Sequence, residues 1–383
     1  MTRVAGNAVF FPAAAAYAVG VLPASLYSMM GSITALPGLV SPAGHAHEML
    51  FGFALAVVAG NQVGPSSMAR IGALLGFWVL ARVTFLFAPQ SIGAAACNAA
   101  FAVLLALRIA PRLLAAAKKL RNQALPLVLI AICAAAAAFS AAQRGSLSVA
   151  VPLFALLMLF MGGRLLAPAV AGQFYRQGAN LEARVQPRIE AALILTLAVA
   201  TAAQAGPDQP ALVLLAAAAF VAAGLLAALR LLRWRLWALQ RRPDLLCQAA
   251  GYGWVALGLV VYGATLAAGQ WQTVALHIIM VAGLGTLTLN VMAMTATLKA
   301  RQDPARARIP IWATFLIAAA TLARVLAGVG VFPLQLLSLA AWCWSGAFAM
   351  LLVLLVRMAR AASRVRAERA RQHRPDQEPA DPG

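Results

Sequence analysis

Twelve apolar segments, each near twenty residues and separated by short polar joints, decide most of what this chain can become. They run approximately over 8–30, 45–63, 68–88, 91–111, 124–142, 147–171, 188–206, 209–230, 245–268, 273–298, 308–330 and 333–357. A helix rises about 1.5 Å per residue, so about twenty residues cross a hydrocarbon core of roughly 30 Å. Lipid offers the backbone no hydrogen-bonding partner, which leaves helices or closed barrels as spanning structures. Barrel strands alternate polar and apolar residues; these runs do not. The expected fold is therefore all-α, a polytopic integral membrane bundle of about 12 transmembrane helices. A composition of 63% hydrophobic and 10% charged residues excludes an ordinary soluble domain. The transmembrane domain is expected over residues 1–360. Residues 361–383, Arg-rich and then Pro/Asp/Glu-rich, are expected to form a basic, disordered cytoplasmic tail that holds His373.

The net charge of +20 would suggest nucleic acid in a soluble chain. Here the basic residues fall in blocks between apolar runs, a topology signal, and no nucleic-acid partner is expected. One set of loops carries Arg70, then Arg112, Lys118, Lys119 and Arg121, then Arg176 and Arg184. The same set continues with Arg233, Arg235, Arg241 and Arg242, then Lys299, Arg301, Arg306 and Arg308. The alternate loops hold little beyond Arg144 and Asp208. This asymmetry places both termini in the cytoplasm and the bilayer itself as the chain's principal partner. Arg3 ahead of an apolar run, with small residues near Pro23-Ala24-Ser25, imitates a signal peptide, but the run exceeds a usual h-region and an uncleaved first span is expected. Cys97, Cys133, Cys247 and Cys343 lie within apolar runs without CxxC spacing and are expected to be free thiols.

Chemistry concentrates in the stretch 41–53. Two of the four histidines, His45 and His47, occur there beside Glu48. Ser41 suits an N-cap and Pro42 the first helical position. Ionisable residues inside a membrane are costly and point to function. The topology puts His45 and His47 near the outer face, and His277, about the fifth residue of the tenth span, in the same layer. Arg82 and Arg324 each stop about six residues short of that face, roughly 9 Å deep. Both sit in a Leu-Ala-Arg-Val tetrad, at 80–83 and 322–325, an echo relating spans two and three to ten and eleven. One such histidine alone would be read as an interhelical hydrogen bond and one arginine as snorkelling outward. Three histidines and two arginines in one layer read as a site.

At about 100° per residue His45 and His47 point some 200° apart, so they do not both ligate one ion. His45 shares a face with Glu48, Gly52, Ala56 and Ala59, which is small and admits a close neighbour. One histidine on each of two facing helices is the minimal way to hold a haem iron from both sides. The expected ligands are His277 and one of His45 or His47, with Arg82 and Arg324 near the propionates. Glu48 would orient an imidazole or take a proton. Irregularity near Gly44 would turn His47 inward and leave His45 for a second metal such as copper. A proton-coupled small-molecule transporter using the His/Glu site is the alternative reading. Elsewhere, Gly162-Gly163-Arg164 reads as a close helix contact with an inward arginine or as an arginine reaching the inner interface. Trp234 and Trp237 among arginines read as an interfacial anchor, and Gly283 and Gly285 as a packing site in the tenth helix.

The run His45-Ala-His-Glu-Met-Leu-Phe-Gly-Phe-Ala-Leu-Ala-Val-Val-Ala-Gly60 resembles the signature of the NnrS family. The resemblance extends to Gly162-Gly-Arg164, to Ala275-Leu-His277 with Gly283-Leu-Gly-Thr-Leu-Thr-Leu289, and to Arg324. The chain departs from the family pattern at Asn61–Ser66, Leu165–Ala169 and Met294–Lys299, as a divergent member would. The resemblance implies a twelve-span protein of the bacterial inner membrane, linked to the response to nitric oxide and nitrosative stress. It implies haem, expected as b-type, and copper as cofactors.

Overall fold

In a computed structural model the described residues are 3–117, 120–207 and 209–372. Lys118, Lys119, Asp208, His373 and the remainder of the tail to residue 383 lie outside them. The apolar runs become helices α1 (Gly6–Met29), α2 (Pro42–Gln62), α3 (Met68–Phe87), α4 (Ile92–Ala116), α5 (Leu120–Ala138) and α6 (Gln143–Arg176). They continue as α7 (Pro187–Ala205), α8 (Pro210–Leu232), α9 (Pro243–Ala268), α10 (Gln272–Lys299), α11 (Arg308–Gly328) and α12 (Pro333–Gln372). Ten of these are long and apolar enough to cross a membrane. The composite α2 and the shorter α5 bring the spans among the described residues to twelve. The chain is an all-α, multi-pass membrane protein.

Sequence signals set the helix ends. Ser41 caps α2, its Oγ accepting from the Gly44 N–H at 3.1 Å, with Pro42 in the first turn. Ser91 does the same for α4 through the Ala94 N–H at 3.1 Å. Gly269, at φ 71°, closes α9 in the left-handed conformation that glycine adopts without strain.

Two helices are not uniform. In α2 an α-helical turn, Pro42–His47, gives way to a π-helical stretch, Glu48–Ala54, before α-helix resumes at Leu55–Gln62. In α10 the sequence is Gln272–His277, then π-helical Ile278–Gly285, then Thr286–Lys299. The irregularity expected near Gly44 lies later, starting at Glu48.

Neighbouring helices pack in sequence, and α1 closes the bundle against α12. Trp344 Nε1 donates to the Ala18 carbonyl at 3.2 Å and Ser345 Oγ to the Val19 carbonyl at 2.8 Å. Phe53, from the π stretch of α2, packs edge-on to Trp344 and Phe348 at 5.8 and 5.1 Å. At one face, Arg3–Val4 (β1) pairs antiparallel with Ser66–Ser67 (β2), and Lys299 donates to Asn7. That face also carries the basic loops.

Two expectations are corrected. The helix of α12 does not stop near residue 360 but runs to Gln372, because Ala, Arg and Glu are strong helix formers and no proline intervenes before Pro375. Trp234 is no interfacial anchor: it is fully buried against Tyr252 at 5.1 Å, whereas Trp237 is exposed. The four cysteines are free.

Candidate functional site

The layer of three histidines and two arginines divides into two groups on opposite sides of α2. His45 and His47 are two positions apart on the α-helical turn, so their side chains leave in opposing directions.

On one side His45 meets His277 of α10. Their rings lie 6.4 Å apart, centre to centre, and within 13° of parallel. Each ring is fixed through Nδ1. His45 Nδ1 shares a hydrogen bond with Ser25 Oγ of α1 at 3.0 Å, and His277 Nδ1–H donates to the Thr273 carbonyl at 2.6 Å. A carbonyl only accepts, so the proton of a neutral His277 sits on Nδ1 and its Nε2 presents a lone pair. Both rings are half-buried. The guanidinium of Arg324, on α11, is an electrostatic neighbour of both.

On the other side His47 is enclosed and 1% exposed. Phe85 stacks on its ring at 3.8 Å, with Phe139 at 4.4 Å and Phe51 at 5.6 Å. His47 Nδ1–H donates to Glu48 Oε1 at 2.7 Å, and Arg82 Nη1 donates to the same oxygen at 2.5 Å. The other carboxylate oxygen accepts from the Tyr17 hydroxyl. Arg82 also donates to Asn98 Oδ1, whose amide in turn donates to the Ala94 carbonyl at 2.8 Å. Glu48, His47 and Arg82 are all buried, so this network stands on complete pairing of the carboxylate.

The π stretch makes room for it. A Cβ on Gly52 would meet Arg82 Nη1 at 2.9 Å, Glu48 Oε2 at 3.1 Å and the Tyr17 ring at 3.1 Å. A π turn also frees carbonyls from the regular ladder, and Trp78 Nε1 donates to that of Gly52 at 3.0 Å. In α10 a Cβ on Gly283 would strike Val255 at 2.6 Å, and one on Gly285 would strike the Trp344 ring at 2.6 Å. These glycines are packing positions.

Two expectations about roles change. Glu48 does not orient His45: the opposite charge of Arg82 and the adjacent His47 imidazole hold its carboxylate on the other side of α2. Arg82 and Arg324 do not flank one site, because Arg82 is spent on Glu48 and Asn98. Tyr17, Ser25, Trp78, Asn98 and Thr273 were not singled out by sequence. Asn98 and Tyr17 carried a signal, being polar groups inside apolar spans. Ser25 and Thr273 carried none in an Ala- and Thr-containing background.

The family model described as NnrS protein matches residues 5–362. The chain belongs to the NnrS family. No curated protein matches it. The match takes in both sides of α2, the π stretches and Arg324. It also covers the Gly162-Gly163 step, where Cβ atoms would collide with the Tyr252 ring at 2.8 Å and the Arg230 guanidinium at 2.5 Å. That diglycine is a close helix contact, and the arginine it admits is Arg230 of α8. Arg164 itself is exposed and lies over the Phe160 ring at 5.3 Å.

Proposed function

We propose that this NnrS-family chain is a haem-binding protein of the bacterial inner membrane that acts in the response to nitric oxide. In this reading its termini are cytoplasmic and His45 and His277 are the residues that would hold a b-type haem. The observation that carries it is the disposition of the two imidazoles. The 6.4 Å separation and 13° tilt bring one imidazole from α2 and one from α10 side by side in a single layer, where both could serve one group. Anchoring of both Nδ1 atoms leaves Nε2 for a metal, as outer-shell partners do at histidine ligands.

Haem, when bound, would supply a redox-active iron. The rest belongs to the chain. Thr273 holds the His277 proton on Nδ1, Ser25 of α1 fixes the His45 ring, and Arg324 offers a guanidinium to a carboxylate. The residues do not fit a copper centre. Among the described residues no three of His, Cys, Asp and Glu converge as metal ligands, and His47 is committed to Glu48.

The test is haem content and absorption of detergent-purified protein expressed with ample haem. Wild type should show a Soret band that shifts on addition of nitric oxide. His277→Ala should remove or shift the band, because a residue that would hold the haem is lost, and Arg324→Ala should lower haem retention with a milder spectral change. A His277→Ala spectrum identical to wild type would sink the reading.

One observation favours a second reading, proton-coupled transport. His47, hydrogen-bonded to the buried Glu48, lines a small cavity that also reaches Gln90, Asn98 and Ser140. Under that reading, proton uptake into proteoliposomes would vanish in Glu48→Gln, and wild type would purify without haem.

A further inference from the structure

A cavity of about 210 Å³ lies away from the histidines, between α6, α7 and α8 toward the basic-loop face. Its charged lining consists of Arg164, Arg184 and Arg230 against the single carboxylate of Glu190, three positive charges and one negative. Leu156, Leu159, Phe160 and Leu193 form its apolar wall.

The position of Arg230 is built. The residue is 4% exposed, with its guanidinium over the Trp234 ring at 5.4 Å. Nη2 donates to Glu190, and Nη1 to the Leu159 carbonyl at 3.3 Å and the Tyr252 hydroxyl at 3.4 Å, yet the buried Nε has no partner. Gly163 clears the space: a Cβ there would stand 2.5 to 2.7 Å from the guanidinium. Three guanidinium groups around one carboxylate leave a net positive charge at this cavity, which a resident anion would offset.

We propose that this cavity binds the phosphate group of an anionic amphiphile, with Arg164, Arg184 and Arg230 as its charge partners. Guanidinium forks match phosphate oxygens in pairs. Basic pockets between transmembrane helices on the positively charged side are suited to anionic headgroups. The volume lies below the ~300–1,000 Å³ of drug-sized pockets, which fits a headgroup with its tail along the leucine wall. A free phosphate ion shares the headgroup's chemistry, so the test separates the two.

The full chain, purified in detergent and delipidated, is unfolded thermally with dihexanoyl phosphatidylglycerol, dihexanoyl phosphatidylcholine or inorganic phosphate. Phosphatidylglycerol should raise Tm saturably, and phosphatidylcholine should not. Arg184→Gln alters an exposed residue at the mouth, so its ligand-free Tm should stay near wild type. Its half-saturating phosphatidylglycerol concentration should rise about tenfold, the loss of one charge-assisted contact. Arg164→Gln should act in the same direction. If inorganic phosphate alone gives a saturable shift that Arg184→Gln weakens, the anion site stands and its ligand is free phosphate. Equal responses to the two lipids, or wild-type titrations in both variants, would overturn the proposal.

Discussion

Glu48 accepts hydrogen bonds from α1 through Tyr17, from α3 through Arg82 and from its own neighbour His47, within a fully buried setting. A buried ion pair that loses one member leaves the other charge uncompensated, at about 3–5 kcal/mol. Glu48→Gln should therefore lower unfolding stability by about that amount, measured by thermal or denaturant unfolding in detergent. Tyr17→Phe deletes one hydrogen bond to the carboxylate and leaves its charge paired with Arg82, so it should cost less, about 1.5–3 kcal/mol. Equal losses in the two variants would show that the carboxylate is not the hub. At this scale the sequence was partly legible. The intramembrane His, Glu and Arg residues announced themselves by their cost in lipid. Which arginine served which histidine did not, because depth can be counted along a helix but the pairing depends on how α2 faces α3 and α10.

The composite helices α2 and α10 share one order: an α turn ending in a histidine, a π stretch, then α-helix, followed by a helix bearing Leu-Ala-Arg-Val. The four-residue echo at 80–83 and 322–325 thus belongs to a larger structural likeness. Hydropathy does not register a π stretch, since a wider turn uses the same apolar residues as an α turn. The irregularity expected near Gly44 fell one turn early in α2, and the glycines of α10 were read only as packing positions. A π segment accommodates extra chain in a helical register, so deleting Met49 should return α2 toward α geometry and rotate His45 by about 100° relative to Leu55–Gln62. The deletion variant should stay monodisperse on size exclusion while losing any haem band that wild type carries. Retention of the band would show that the π stretch does not set the direction of His45. Trp78→Phe would leave the Gly52 carbonyl unpaired and should cost about 1–3 kcal/mol in thermal unfolding.

Across the whole molecule, the apolar runs made the all-α, twelve-span architecture readable, because lipid tolerates little else. Ser41 and Pro42 marked the start of α2 correctly. The burial of Trp234 and the helical extension of α12 were hidden, the first because a tryptophan among arginines also suits an interface, the second because an Arg-rich segment forms helix as readily as it stays solvated. The one-sided basic loops predict that Ala35→Cys, in a cysteine-free background, labels from outside intact cells while Gln240→Cys labels only after permeabilisation; the reverse pattern would invert the orientation. In the proposed reading two histidines separated by a single residue serve different purposes: His45 would hold a cofactor with His277, and His47 serves the fold. Its most direct test is the absorption spectrum of haem-replete His45→Ala beside His47→Ala. His45→Ala should lose or shift the Soret band, and His47→Ala, assayed below its unfolding temperature, should keep the wild-type band. A band lost in His47→Ala and intact in His45→Ala would contradict the account.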